Sequence, residues 1–271
     1  MKFGIIGLGI TGGCCRRWLG TKGETFGYDI KGEGSMDEVN KAEVVFVCVN
    51  TPFDTKTGRL NAEFIESSVR GLSGSKTVVV CSTVPIGTCA LLAESYPQHT
   101  IIHNPEFLRA KTAWEDYCNP IRQVVCYTKT EDIKVANKIR AVLPICPDAS
   151  YIVWSNVSEA IKLSSNLLLA VRISAAQVGM RLTKDEGEQV ARILSVDPRI
   201  GSYGFDCSEQ VGYAGRCLPK DVNAFLRECG NAGIKTDWLE KMDEENERLL
   251  ALQGKHPDYG WPEILKEKAN G

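Results

Sequence analysis

Short, unbroken apolar runs recur through the first half of the chain, at residues 2–6, 24–29, 43–49, 77–81, 100–103, 123–127 and 151–154. Continuous rather than alternating runs of this length predict strands covered on both faces, as in a parallel sheet between layers of helix. The segments between them carry helical periodicity or turn residues, with 131–143 the clearest helix. After residue 155 the pattern turns helical almost throughout. Residues 156–181 hold no Pro, a single late Gly and a dense set of Leu, Ile, Val and Ala, so a helix there is expected to be buried on most sides. Asn156 followed by Glu159 predicts a capped start for it. Further helices are expected at 184–194, 217–232 and 237–252, with the charged run 240–248 as a solvated face and no usable period after Gly254. The expected organisation is a sheet domain over 1–154, a helical domain over 155–253 built on the long helix, and a tail over 254–271.

Composition narrows the partners. A chain of 271 residues, 43% hydrophobic and 24% charged, has room for two cores. Its 32 Lys and Arg against 34 Asp and Glu leave a net charge of -2, with no basic footprint for nucleic acid and no polybasic membrane patch. Small-molecule partners are expected. Eleven Cys without a C-x-x-C spacing read as reduced, mostly buried thiols rather than a disulfide or zinc framework, which points to a cytoplasmic protein. His99 and His103 bracket a strand and are too far apart along it to share a metal, so no metal site is expected. No apolar segment is long enough to span a bilayer.

Chemistry begins at the first strand, which runs directly into Gly7-Leu8-Gly9-Ile10-Thr11-Gly12 and then a helical segment. In this spacing the first Gly permits a tight turn, the second lets a pyrophosphate approach the backbone, and the third lets helix pack on strand. Asp29 ends the next strand, about twenty residues further on, where a carboxylate accepts from a ribose 2′-hydroxyl and repels a 2′-phosphate. NAD is therefore expected over NADP, although nearby Lys31 weakens the exclusion. Three later strands end in Asn50-Thr51-Pro52, in Ser82-Thr83 of "STVPIGT", and in "NPEFLR" with Glu106, Phe107, Leu108 and Arg109. In a doubly wound, Rossmann-like sheet such carboxyl ends face the ligand crevice. On the long helix, Lys162 and Asn166 stand one turn apart on a single face. Alone, that pair reads more simply as a snorkelling Lys beside a polar patch.

Residues 212–221, "GYAGRCLPKD", resemble the catalytic cysteine segment of the nucleotide-sugar dehydrogenases, the UDP-glucose and GDP-mannose dehydrogenase family, whose usual form is close to G-[FY]-G-G-x-C-x-x-K-D. "GLGITG", "VNTP", "STVPIGT", "NPEFLR", "EAIKLSSNLLLAVRIS" and "DPRIG" look like that family's other motifs and occur in the same order. The resemblance implies that Cys217 is a nucleophile, that Lys162 and Asn166 steady an oxyanion on the reacting carbon, that Asp221 and Thr83 position or activate water, and that Glu106 transfers protons. Lys220 beside Cys217 would favour thiolate over thiol. Cofactor contacts would come from Gly7, Leu8, Gly9, Ile10, Gly12, Asp29, Asn50, Thr51, Pro52, Ser82 and Thr83. Substrate contacts would come from Phe107, Leu108, Arg109 and Gly215, with Arg199 reaching across a homodimer joined through the 156–181 helix. The implied reaction is oxidation of a nucleotide sugar's primary alcohol to the acid through a thiohemiacetal and a thioester.

Three departures bear on that reading. Ala110 stands where the family commonly has a second Glu, and the cysteine segment carries Ala214 and Arg216. Only a short tail follows residue 252, where family members usually continue into a second Rossmann-like domain that binds the substrate's nucleotide, so a short form is expected. Two other functions fit parts of the pattern. One is a two-electron β-hydroxyacid dehydrogenase, which Cys217 and "STVPIGT" disfavour. The other is a non-catalytic NAD-binding partner of a longer relative, which Ala110 and the short length favour.

Overall fold

The computed structural model describes residues 1–205 and 212–261. Part of the loop expected before Arg216, with Cys207, and the end of the expected tail lie outside the described residues. The chain divides into two units, residues 1–51 with 61–162, and residues 52–60 with 163–271. The division falls inside the long helix, after Lys162, rather than near Ser155. The reason is local: the helix's first turns bury Ser158 and Glu159 among first-unit groups, whereas Leu163 packs with Phe53, Leu60 and Ala224.

In chain order the first unit contains β1 (Lys2–Ile6), α1 (Ile10–Leu19), β2 (Glu24–Asp29), β3 (Glu33–Gly34), α2 (Met36–Val39) and β4 (Val44–Val47). The strands β5 (Phe53–Asp54) and β6 (Arg59–Leu60) belong to the second unit. The first unit resumes with α3 (Glu63–Arg70), β7 (Thr77–Val80), α4 (Thr88–Ser95), β8 (Thr100–His103), α5 (Ala113–Cys118), β9 (Gln123–Tyr127), α6 (Ile133–Val142), β10 (Ser150–Trp154) and the start of α7 (Ser155–Arg181). Six strands form a sheet in the order β3-β2-β1-β4-β7-β8, parallel except for the short hairpin strand β3. From β1 the order runs outward to β2 on one side and to β4 on the other, so the switch point lies between β1 and β4. Strands β9 and β10 pair in parallel as a separate two-stranded sheet.

Both faces of the main sheet are covered, as the continuous apolar runs require. Val45, Val47, Val78, Val80 and Ile101 pack with Val39, Ile65, Val69 and Leu92 on one side. Val44, Phe46, Val79 and Ile102 pack with Cys15, Leu19, Ala136 and Ile139 on the other.

The second unit holds the β5–β6 hairpin, most of α7, α8 (Gly187–Leu194), α9 (Leu218–Asn231) and α10 (Asp237–Ala251). Leu167, Ala170 and Ile173 of α7 form a core with Val222 of α9, Leu239 of α10 and Tyr213. The helices match expectation closely, but the hairpin adds a β element to this unit. The segment that lacked a usable period docks on it: Phe53 N–H donates to Tyr259 O (2.8 Å), and Trp261 Nε1 donates to Phe53 O (3.1 Å).

Two expectations about helices need correction. Lys241–Glu244 and Arg248–Glu245 pairs do line an exposed face of α10, yet Asp243 and Asn246 within the same charged run are buried. Most residues along α7 are buried or half-buried, while Leu168 and Val178 are 62% and 61% exposed. The other correction is that no capping box starts α7. Asn156 Oδ1 accepts only from the adjacent Val157 N–H (2.9 Å), and Glu159 is turned fully inward. Its carboxylate accepts from Gly87 N (2.6 Å) and Cys89 N (2.8 Å) at the head of α4. Gly87, the N-cap of α4, has no side chain to satisfy those donors, and the Glu159 charge does so instead. Glu159→Gln places an amide donor against N–H donors, so urea unfolding is expected to show a loss of about 2 kcal/mol. An unchanged midpoint would show that the cap is dispensable.

Candidate active site

The glycine turn follows β1 at the switch point. Gly7 has φ +85° and donates its N–H to Tyr28 O (2.8 Å); a Cβ there would lie 2.7 Å from the Cys48 carbonyl. A Cβ on Gly12 would lie 1.8 Å from the Gly7 carbonyl, which holds α1 against the strand and excludes any larger residue. Gly9, the N-cap of α1, has nothing within 4 Å of where its Cβ would be. The backbone is thus open at the one glycine beside the positive end of the helix. Asp29 Oδ2 accepts from Leu8 N (2.7 Å) and Oδ1 from Lys31 N (3.0 Å), so the carboxylate is fixed at the end of β2 while each oxygen keeps a lone pair for a hydroxyl. These groups fit a dinucleotide. Ile10 is exposed at the start of α1.

The polar tails of β4 and β7 are tied to each other. Thr51 Oγ1 donates to Thr83 O and Ser82 Oγ to Val49 O, both at 2.6 Å, and Thr51, Ser82 and Thr83 are buried. Asn50 is exposed, and Pro52 falls in the second unit. Beyond β8, Glu106 Oε2 accepts from Leu108 N (2.8 Å), and Lys162 Nζ donates to Glu106 O (2.6 Å) with Oε1 at 3.5 Å. Phe107 lies beneath two cations, with Arg122 3.9 Å and Lys162 5.3 Å from its ring centre. Lys162, Glu106 and Phe107 are therefore brought together as expected. Arg109 is not part of that group: it forms a bidentate pair with Asp116, whose hydrogen bonds from Arg109 hold the carboxyl well below the usual carboxylate range.

Two buried groups that sequence reasoning missed hold this region. His103 ends β8 with Nδ1 against Ser158 Oγ (2.8 Å) and Nε2 against Ser82 O (3.2 Å), and burial pushes its pKa down to about 4. Glu159 holds the 82–89 loop from the other end. A lone His at a strand end carries no signal of burial; Glu159, three residues before Lys162 on an apolar helix, did carry one.

In the second unit Cys217 is the N-cap residue of α9, and it is the exposed one among the ten described cysteines. Burial pushes the Cys15, Cys89 and Cys126 thiols up; Cys217 instead sits where a helix N-terminus favours a thiolate. One turn on, buried Asp221 accepts from Asn166 Nδ2 and from Lys220 Nζ, each at 2.5 Å. Asn166 and Asp221 are thus neighbours. Lys220, expected to favour a Cys217 thiolate, is buried with its ammonium against the Asp221 carboxylate. Gly215, at φ +80°, is exposed and open. Arg199 is paired with Asp197 (2.6 Å) at the surface.

Among the described residues no helix is long and apolar enough to cross a membrane. The sheet, the glycine turn at its switch point and the acid after it define a dinucleotide-binding unit of the doubly wound, Rossmann-like class. The NAD binding domain model of the UDP-glucose/GDP-mannose dehydrogenase family matches residues 29–143, that family's central domain model matches residues 156–248, and the chain belongs to this family. It is 26% identical to UDP-glucose 6-dehydrogenase TuaD of Bacillus subtilis over 78% of this chain and 47% of that protein. It is 30% identical to UDP-glucose 6-dehydrogenase YwqF of the same organism over 78% and 50%. The chain spans about half the length of these curated relatives. The fold is also that of the UDP-D-ManNAc dehydrogenase from Pyrococcus horikoshii, at TM-score 0.81 and 18% identity over 100% of this chain and 72% of that one. Because the family match starts at Asp29, the glycine turn rests on its own geometry.

The cofactor is NAD. Removing the Asp29 carboxylate is expected to weaken NAD at least about tenfold, equivalent to one lost charge-assisted hydrogen bond. Calorimetric titration of Asp29→Ala reads this directly. Tighter binding of NADP than of NAD by the wild type would overturn the role given to Asp29.

Proposed function

We propose that the chain oxidises the primary alcohol of a nucleotide sugar to the corresponding acid, with Cys217 as covalent nucleophile. The observation that carries the reading is Cys217 itself: exposed, at the head of a helix, one turn from a buried carboxylate braced by Asn166 and Lys220. Gly7, Leu8, Gly9, Ile10 and Gly12 hold the pyrophosphate and Asp29 the adenosine ribose, with Asn50, Thr51, Pro52, Ser82 and Thr83 alongside. When bound, NAD accepts one hydride in each of two oxidations.

The chain's own groups manage carbon, sulfur and protons. Glu106 takes the hydroxyl proton as the alcohol becomes an aldehyde. Cys217 Sγ then adds to the aldehyde carbon, forming a C–S bond, and Lys162 and Asn166 steady the oxygen as its charge develops. Each retains donors for this, since the Lys162 ammonium and the Asn166 amide have hydrogens beyond those given to Glu106 and Asp221. Loss of the second hydride leaves a thioester. Water positioned by Asp221 and Thr83 adds to it, the C–S bond breaks, and the acid departs with Cys217 restored. Ala110 supplies no carboxylate to this last step, so the thioester is expected to be the longest-lived intermediate. Phe107, Leu108 and Gly215 contact the substrate. Arg109 and Arg199 do so only after leaving Asp116 and Asp197.

The proposed protein is a homodimer in which a second copy covers Leu168 and Val178 of α7, a self-paired contact of two-fold symmetry. Sedimentation is expected to give a dimer at micromolar concentration, and a stable monomer would remove both the interface and the cross-subunit role of Arg199.

Assays with UDP-glucose, UDP-N-acetyl sugars and GDP-mannose are expected to show two NAD reduced per sugar. Cys217→Ser is expected to cut acid formation at least about a thousandfold while leaving NAD affinity within about twofold. One NAD per substrate with tolerance of the Ser substitution would select a hydroxyacid dehydrogenase; absence of turnover in the wild type would select a non-catalytic partner.

A further inference from the structure

Buried polar side chains of the second unit bond to the chain on both sides of Cys217. Gly212 donates its N–H to Gln177 Oε1 (2.5 Å), and its carbonyl faces Gln177 Nε2 at 3.5 Å. The next residue, Tyr213, donates its N–H to Asn246 Oδ1 (2.6 Å) and accepts from Asn246 Nδ2 (3.1 Å). Two side-chain amides thereby serve two successive peptide units that belong to no helix or strand. The fit is close. Gly212 has φ +98°, and a Cβ there would lie 2.7 Å from Asn246 Oδ1, so only glycine lets that amide reach its place.

The Tyr213 hydroxyl donates to Asp243 Oδ1. The other Asp243 oxygen accepts from Asn223 Nδ2 (2.9 Å), and the same amide donates to Pro219 O (3.0 Å) in the first turn of α9. One carboxylate on α10 is therefore bonded to the chain before Cys217 and to the helix after it. Asp243 and Tyr213 are both buried, and burial pushes the Asp243 carboxyl and the Tyr213 phenol up from their ordinary values. A core that needed only to be filled would be served as well by an apolar side chain, because a buried carboxylate is costly even when paired.

We propose that Asp243, acting through Tyr213 and Asn223, is the positioning residue that holds Cys217 at the N-terminus of α9, with Gln177 and Asn246 fixing the preceding turn. The inference rests on the reading of Cys217 as nucleophile. Helix-terminus potential falls off within one turn, so release of either flank both misdirects the sulfur and weakens support for its thiolate.

The test reads Cys217 without turnover. Carbamidomethylation of Cys217 by iodoacetamide is followed by peptide mass spectrometry as a function of pH, at a temperature where circular dichroism shows wild type and variants equally folded. Asp243→Asn sets one amide against the Asn223 amide, and is expected to slow alkylation at neutral pH about tenfold and raise its pH midpoint, with NAD affinity unchanged. Tyr213→Phe, which keeps the volume and releases the other flank, is expected to act in the same direction. Folded Asp243→Asn and Tyr213→Phe proteins that alkylate at the wild-type rate, with only a lower Tm, would overturn the proposal. Failure of the wild type to make acid would count against the proposed reaction and leave the alkylation comparison intact.

Discussion

A polar side chain taken out of water must be given a partner inside the protein, and α7 imposes that constraint repeatedly along one apolar helix. Within the first unit Glu159 meets the N–H groups of Gly87 and Cys89, and Lys162 meets the carbonyl and carboxylate of Glu106. Within the second unit Asn166 meets Asp221, and Gln177 meets both polar groups of the Gly212 peptide. Every one of these partners sits on a segment that carries candidate chemistry. The inward polar groups of α7 are thus the fixed points to which loops without regular structure are attached. An apolar helix of the same length would pack well and leave those loops unplaced.

At the glycine turn the governing constraint is steric rather than electrostatic. Backbone approaches backbone so closely that Gly7 and Gly12 admit no Cβ, whereas Gly9 admits one without contact. Open space at the middle glycine, in an otherwise crowded turn, is what a ligand occupying that side requires. Asp29 completes the arrangement by accepting from the Leu8 N–H, which couples the position of its carboxylate to the turn itself.

The sheet was legible because apolar runs buried on both faces leave a continuous signature, and the helices because their period is sustained. Partnerships were harder to read. Nothing local marks Phe53 as the partner of Tyr259 and Trp261, since that pairing joins segments about two hundred residues apart and uses the main-chain groups of Phe53. Arg109 and Arg199 looked available for substrate, but each has a carboxylate within a few residues and folds back upon it. The inward face of α10 was recoverable in principle: Leu239, Asp243, Asn246 and Leu250 recur at helical spacing, so an Asp and an Asn share the stripe of two core leucines. A long run of charges hid them, because charge runs ordinarily mark solvent.

Lys220 shows why proximity in sequence is a poor guide to electrostatic function. Placed three residues after Cys217, its ammonium suggested thiolate stabilisation, yet it lies buried against Asp221 at 2.5 Å. A buried charge pairs with the nearest opposite buried charge, and Asp221 offers a carboxylate that only Asn166 otherwise engages among the hydrogen bonds described. Cys217 stands at the head of the helix it caps. Helix-terminal stabilisation is weak and short in range, worth at most about 2 kcal/mol and confined to the first turn. The proposed role of Cys217 as nucleophile would require its main chain to be held on both sides, and there the structure places two buried amides, a buried phenol and a buried carboxylate. The exposure of Cys217 and the burial of its supports are two sides of one requirement: the sulfur must be reachable, and the peptide that bears it must not move.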